Sequence, residues 1–447
     1  MKKDLTQGNV TKTMLLFAGP MIVGNLLQQC YNIADTLIVG RCLGPDALAA
    51  VGSAYTLMTF LTSIIIGLCM GSGAVFSVYF GKKDILQMKK RMVAAFLFIA
   101  AVTILVNVLV FVFLDGILRI LQVPTEVYQL MRDYIWIIFW GIGFVFLYNY
   151  FAYFMRALGN SLIPLYFLGV AAVLNIVLDV LFVVSFQMGV KGAALATVIA
   201  QALSGVGIGI YAWCRETELR PKKTELSIDR GAMQEVVRHS TAACVQQSVM
   251  NFGILMIQGL VNSFGPVVMA AFAAAVKIDS FAYMPAQEFG NAFSLFISQN
   301  HGGGKKERVE LGMRKAAAVS MSFCLIISAG IFVLAPTLMK IFVDAGETGI
   351  IQTGAEYLRI EGAFYCGIGL LFLLYGFYRG VERPEMSLVL TVISLGTRVF
   401  LAYLLSPIPE IGVLGIWWAI PIGWFLADLA GIVCIPKISR YRIFPSR

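Results

Sequence analysis

Charge is scarce in this sequence. Asp, Glu, Lys and Arg make up 13% of its 447 residues, and hydrophobic residues 59%. Soluble domains run near about 25% charged and about 45–50% apolar, so a water-soluble globule is excluded. Histidine is nearly absent: His239 and His301 are the only two, both at the ends of apolar segments, which argues against a histidine-built metal site. The eight cysteines (Cys30, Cys42, Cys69, Cys214, Cys244, Cys324, Cys366 and Cys434) are scattered and include no Cys-x-x-Cys pair. They read as packing residues rather than as disulfides or metal ligands. No Gly-x-Ser-x-Gly, His-Glu-x-x-His or similar nucleophile–base constellation is present, so the chain does not read as an enzyme. A cleavable signal peptide is not expected either, because the first apolar run starts near Met14 and continues well past a short hydrophobic core.

What the chain has instead is long hydrophobic runs. Twelve stretches are long enough to cross a bilayer: 14–38, 48–79, 92–114, 134–155, 163–186, 190–213, 240–262, 268–298, 316–338, 354–378, 385–405 and 411–435. Backbone groups in hydrocarbon must bond within their own segment, so these spans are predicted to be helices. The expected class is an all-α membrane protein.

The net charge of +9 is distributed unevenly. If both termini lie in the cytoplasm, 26 Lys and Arg fall on the cytoplasmic face and 6 on the other, with Lys277 and Arg398 inside spans. The cytoplasmic group includes Lys2, Lys3, Lys82, Lys83, Lys89, Lys90, Arg91, Lys222, Lys223, Lys305, Lys306, Lys437, Arg440, Arg442 and Arg447. This asymmetry orients the chain with both termini cytoplasmic. It is an orientation signal, and nucleic acid is not an expected partner.

The sequence also repeats itself at an offset of 221–223 residues. Gly44-Pro45 with Ala49-Ala50 recurs as Gly265-Pro266 with Ala270-Ala271, and Gly81-Lys82-Lys83-Asp84 recurs as Gly304-Lys305-Lys306-Glu307. Phe154 and Arg156 recur as Phe377 and Arg379, and Gly189-Val190-x-Gly192 as Gly412-Val413-x-Gly415. Six spans per half is an even number, so the halves run in the same direction. The expected domains are an N-terminal lobe (1–213), a cytoplasmic linker (214–238) and a C-terminal lobe (239–447). The lobes are predicted to be parallel six-helix bundles with pseudo-twofold symmetry along the membrane normal.

Ionisable groups inside spans are costly, so they mark function by default. Asn175 and Asp179 stand four apart on span 5, hence on one helix face. The repeat places Arg398 and Ala402 at the corresponding positions, while Asp35 of span 1 maps near the apolar Met256. Span 1 carries a polar stripe of Asn25, Gln28, Gln29, Asn32, Asp35 and Thr36, suited to a water-filled pathway or to interhelical hydrogen bonds. Ala193, Thr197 and Gln201 share a face of span 6 and are expected to meet Asn175 and Asp179. Carboxylate, amide, hydroxyl and carbonyl oxygens suit Na⁺, and the same acids suit H⁺. Span 8 is polar, with Lys277, Asp279, Tyr283 and Glu288 among its residues. Tyr148, Tyr150 and Tyr153 on span 4, with Tyr365, Tyr375 and Tyr378 on span 10, offer cation–π and apolar contacts to an amphipathic ligand.

Taken together, Asn32-x-x-Asp35 leading to Val39-Gly40, Arg156-Ala157-Leu158-Gly159-Asn160 with Pro164, Asn175-Ile176-Val177-Leu178-Asp179, and Gly189-Val190-x-Gly192-Ala193-Ala194-x-Ala196-Thr197 resemble the multidrug and toxic compound extrusion (MATE) family. The resemblance covers nearly the whole chain. It implies antiport of H⁺ or Na⁺ against small amphipathic organic cations in the bacterial cytoplasmic (inner) membrane, by a monomer in contact with membrane lipid and without a cofactor. By the family pattern, Asp35, Asn175, Asp179, Ala193 and Thr197 form the cation-coupling site, with Asp35, Asn175, Asp179 and Thr197 as Na⁺ ligands if Na⁺ couples. The expected substrate cavity draws on Asn25, Gln28, Gln29, Asn32, Tyr148, Gln201, Gln246, Gln247, Tyr283, Glu288 and Arg398. Members with a C-lobe site carry an acid in span 7, where this chain has Gln246 and Gln247. That departure moves the expected coupling site to the N-terminal lobe. The alternative is a flippase for a lipid-linked precursor, but an anionic headgroup calls for more cavity cations than Lys277 and Arg398.

Overall fold

The computed structural model describes residues 4–120, 123–221 and 229–440. Of the basic residues counted above, Lys2, Lys3, Lys222, Lys223, Arg442 and Arg447 lie outside the described residues, as do the side chains of Lys437 and Arg440. Fourteen α-helices run in chain order among the described residues: α1 (Val10–Leu43), α2 (Pro45–Lys82), α3 (Ile85–Ile120), α4 (Thr125–Trp140), α5 (Ile142–Ala157), α6 (Leu162–Asp179), α7 (Gly189–Arg215), α8 (Arg230–Asn262), α9 (Pro266–Gly302), α10 (Lys306–Met339), α11 (Thr348–Ala363), α12 (Tyr365–Gly380), α13 (Pro384–Leu405) and α14 (Leu414–Arg440). No strand occurs among them, so the all-α class holds.

Ten helices are long and apolar enough to cross a membrane, and twelve spans result if each bent pair counts as one. The bent pairs correct the reading of 134–155 and 354–378 as single runs. The first is α4 and α5, meeting at 46°, and the second is α11 and α12, meeting at 52°. Gly141 marks the first break, where an added Cβ would lie 2.9 Å from both Gln201 Oε1 and Val198 Cγ2. The helix can turn there because no side chain occupies that space.

The repeated motifs fall at helix boundaries. Gly44 (φ 89°) and Gly265 (φ 94°) precede the prolines that open α2 and α9. Proline suits a first helical position because it has no amide hydrogen to leave unpaired there. Lys83 closes α2 in the left-handed conformation, and Asp84 Oδ1 accepts the Gln87 amide at 3.0 Å to start α3. Gly159 (φ 79°) corresponds to Glu382 (φ 62°), so the second half holds a non-glycine residue in the strained region.

The chain forms two compact units, one built around Gly19–Cys244, the other around Val245–Arg447 with Leu5–Ala18. In the first, α5 and α6 pack on α7, and α2 on α5. Its small-residue contacts are close: a Cβ on Gly205 would lie 2.5 Å from the Phe144 carbonyl oxygen. The start of α8 docks on this unit through Arg91, which binds Glu235 at 2.7 Å, and Lys90, which binds Asp229 at 3.0 Å. Asp229 also caps α8 by accepting the Ala232 amide, and that amide and Lys90 hold its carboxyl below the usual range. In the second unit α12 packs on α9, and α13 on α14. There Arg308 donates to the carbonyls of Leu5, Gln7 and Gly8, tying down the N-terminal stretch.

Candidate functional site

In the first unit, α6 delivers Asn175 and Asp179 to its buried face. Asp179 is fully buried at the last turn of α6, where the helix passes into a π-helical segment, Val180–Ser185. Such wider turns recur where a helix is distorted around a functional group. The Asp179 and Asp35 side chains lie within hydrogen-bonding reach of each other. Asp35 Oδ1 and both oxygens of Asp179 are buried, with no other hydrogen-bond partner. Two carboxyls in contact hold together only when a proton or a cation sits on the pair, since two bare negative charges repel. Buried polar atoms are nearly always paired, so three orphaned oxygens in one place mark a site built to receive something.

Asn175 Nδ2 donates to Thr197 Oγ1 at 3.3 Å, and Thr197 Oγ1 donates to the Ala193 carbonyl at 3.1 Å. With its nitrogen so engaged, Asn175 leaves its Oδ1 buried and unpaired. All five residues thus belong to one unit, in two contacting groups: Asp35 with Asp179, and Asn175 with Thr197 and Ala193. The unpaired oxygens among them, on Asp35, Asn175 and Asp179, are hard donors of the kind that suits H⁺ or Na⁺. No group of three or more His, Cys, Asp or Glu able to hold a metal occurs among the described residues.

The other expected residues divide. Asn32 Nδ2 reaches the Tyr55 hydroxyl at 3.3 Å, and Gln28 bonds Tyr31. Asn25 and Gln29 are half-buried on α1. Tyr148 donates to the Pro164 carbonyl at 3.1 Å, a packing bond, and Gln201 Oε1 is buried and unpaired beside the Gly141 break. Tyr134 of α4 is buried close to both Asp35 and Asp179, and Tyr31 stands by Asp35. Neither was singled out from sequence, because an aromatic near a span end reads as an interfacial anchor.

The second unit holds a cavity of about 90 Å³ that receives Asp279, Tyr283, Glu361 and Arg398. Tyr365 donates to Asp279 Oδ1 at 2.6 Å, Tyr357 bonds Glu361, and Arg398 faces both acids. Of the expected residues in this half, Tyr283, Tyr375 and Arg398 line the cavity, whereas Gln246, Gln247, Glu288, Tyr365 and Tyr378 do not. Gln246 is buried with Oε1 unpaired, and Gln247 is half-buried. Glu288 accepts from Asn291, which in turn accepts from Arg379. Lys277 is exposed, 6.0 Å from the Phe342 ring, and takes no part. Glu361 was missed from sequence: Glu356 and Arg359 beside it make the segment look like a charged span end.

A family model described as MatE matches residues 20–181 and 242–404. The chain is 33% identical over 395 residues to the probable multidrug resistance protein YpnP of Bacillus subtilis, covering 88% of this chain and 87% of that one. It is 24% identical over 423 residues to the probable multidrug resistance protein NorM of Thermotoga maritima, covering 91% and 88%. Among solved structures, an outward-facing multidrug resistance MATE-family transporter of the MOP superfamily superposes with a TM-score of 0.91 at 22% identity, covering 98% and 97%. A MOP-superfamily transporter from Pyrococcus furiosus with a binding pocket of reverse polarity gives the same values. Matched over both halves, and all-helical with ten to twelve spans, this chain belongs to the MatE family of multi-pass membrane transporters, which are not enzymes.

Proposed function

We propose that this protein is an antiporter that expels amphipathic organic cations across a bacterial cytoplasmic membrane in exchange for H⁺ or Na⁺. The observation that carries this reading is the contact between Asp35 and Asp179, whose buried oxygens otherwise lack partners. The pair takes up one positive charge. A ligand shifts the balance between outward- and inward-open states only through its different affinities for the two. Loading the pair with H⁺ or Na⁺ halves the negative charge that would attract an organic cation, so each weakens the other by the same factor. The names of its multidrug-resistance relatives support the substrate class. The charge bias supports cytoplasmic termini, and the sequence repeat supports lobes 1–213 and 239–447 rocking about the linker 214–238.

Between the two ions the proton is the preferred reading. Protonation needs no complete ligand cage, and the Thr197 hydroxyl oxygen already accepts from Asn175 Nδ2. The test is ethidium efflux from reconstituted vesicles with the H⁺ and Na⁺ gradients imposed separately. The pH gradient is expected to drive efflux and the Na⁺ gradient to leave it unchanged. Efflux driven by Na⁺ alone reassigns the ion, and efflux indifferent to both gradients overturns antiport.

A further inference from the structure

A second cavity lies in the first unit, apart from the acids. Helices α3 and α7 each pack on α5 and leave a groove of about 310 Å³ over it, at the end where α3 begins and α7 finishes. Its walls are apolar, formed by Phe96, Leu97, Phe151, Phe154 and Trp213. The turn Leu219-Arg220-Pro221 closes its end. Leu97 and Trp213 are exposed, so the groove opens onto the outer surface of the helices, where hydrocarbon is the solvent. Water has nothing to bond there, and an apolar chain does.

The mouth of the groove is charged. Arg220 donates from Nε to the Trp213 carbonyl and from Nη2 to the Cys214 carbonyl, and its guanidinium sits 5.6 Å from the Trp213 ring. These bonds pin a cation beside an indole at the end of a span, leaving Nη1 without a partner among the described residues. Arg215 is exposed nearby. Glu216 also lines the groove, but it is buried and already engaged. Bulk lipid solvates an acyl chain as well as the groove does, so the walls alone confer no preference among lipids. A fixed guanidinium at headgroup depth does, because it favours a phosphate with net negative charge.

We propose that this groove is a binding site for an anionic glycerophospholipid, one acyl chain lying over α5 and the phosphate on Arg220. The test uses full-length protein with Trp213 as its sole tryptophan, in nanodiscs of phosphatidylcholine doped with brominated-chain lipid. Brominated phosphatidylglycerol is expected to quench Trp213 more strongly than brominated phosphatidylcholine at equal mole fraction. Arg220→Gln should lower that preference about 5-fold, the loss expected for one basic side chain at an anionic leaflet. Leu97→Phe, at an exposed wall position, should relieve quenching by both lipids. Because Arg220→Gln also frees the indole, native mass spectrometry provides a second reading: retained phosphatidylglycerol should fall in both variants. Equal quenching by the two headgroups, or a preference unchanged in Arg220→Gln, overturns the proposal. So does relief of quenching by ethidium, which would make the groove a substrate entrance.

Discussion

The two units both bury acids, and they surround them differently: the second holds Asp279, Glu361 and, apart from them, Asp428. In the first, Asp35 and Asp179 face one another with no basic side chain beside them among the described residues, so the compensating charge must come from outside. In the second, Tyr365 donates to Asp279, Tyr357 bonds Glu361 and Arg398 stands near both, although Glu361 Oε2 and Arg398 Nε are themselves unpaired. A buried carboxylate without a built-in partner is poised to bind and release. One bonded by a tyrosine with an arginine nearby has part of its compensation already in place. Burial of an acid therefore does not by itself mark a coupling site, as Asp428 also shows, and two acids in contact without a resident counter-charge are the more telling feature.

The sharpest way to break this comparison is to neutralise each acid in turn. Asp35→Asn and Asp179→Asn should each abolish efflux at normal membrane expression, whereas Glu361→Gln should leave a measurable rate. Substantial efflux by both first-unit variants would remove the coupling role, and loss in Glu361→Gln alone would move it to the second unit.

Arg398→Met tests the other side. It strands two buried acids, and removing one partner of a buried charge cluster costs about 3 kcal/mol or more. A markedly lower melting temperature in detergent is expected, recovered in large part by adding Glu361→Gln. If Arg398→Met melts like the parent, the arginine is not the counter-charge.

A smaller effect is expected at the close helix contacts. Gly205→Ala places a Cβ 2.5 Å from the Phe144 carbonyl oxygen, a backbone atom that cannot swing aside. Overpacking of this kind costs about 1–3 kcal/mol, readable as a lower midpoint in thermal unfolding. Gly376→Ala, with a Cβ 2.5 Å from the Gly290 carbonyl oxygen in the second unit, should behave alike. Unequal losses would show that one unit packs more loosely.

The mildest prediction concerns Asp229, whose carboxyl is held below its usual range chiefly by the Ala232 amide and then by Lys90. A depressed folded-state value means that its contribution is present above the ordinary carboxylate range and lost as pH falls through the lowered one. Protein melting curves should therefore converge for the parent and Asp229→Asn at acid pH and separate slightly near neutrality. A gap that widens on acidification would contradict the assignment.

How much of the site was legible follows from particular residues. Asp35 and Asp179 stood out because a carboxyl within an apolar run is expensive enough to need a reason. The i, i+4 spacing placed Asn175 on the same face as Asp179, and the Asn175–Thr197 bond joins the two helices as expected. Glu361 was hidden because hydropathy averages over a window, and Arg359 and Glu356 made its neighbourhood look interfacial. The second-unit acids also escaped the repeat, since Asp279 and Glu361 do not fall opposite Asp35 and Asp179. Gln246 and Gln247 lie outside the second-unit cavity, and only Gln246, with Oε1 buried and unpaired, is left wanting a partner.

From sequence alone followed the all-α class, the count of spans, their charge asymmetry and the acids that needed explaining. These depend on composition and period, which a membrane imposes span by span. The breaks at Gly141 and Phe364, the contact between Asp35 and Asp179, and the placement of Arg398 near Asp279 and Glu361 depend on residues distant in the chain. Tertiary structure decided them, because a charge's role is set by what lies within a few ångströms of it, and no periodicity encodes that neighbour.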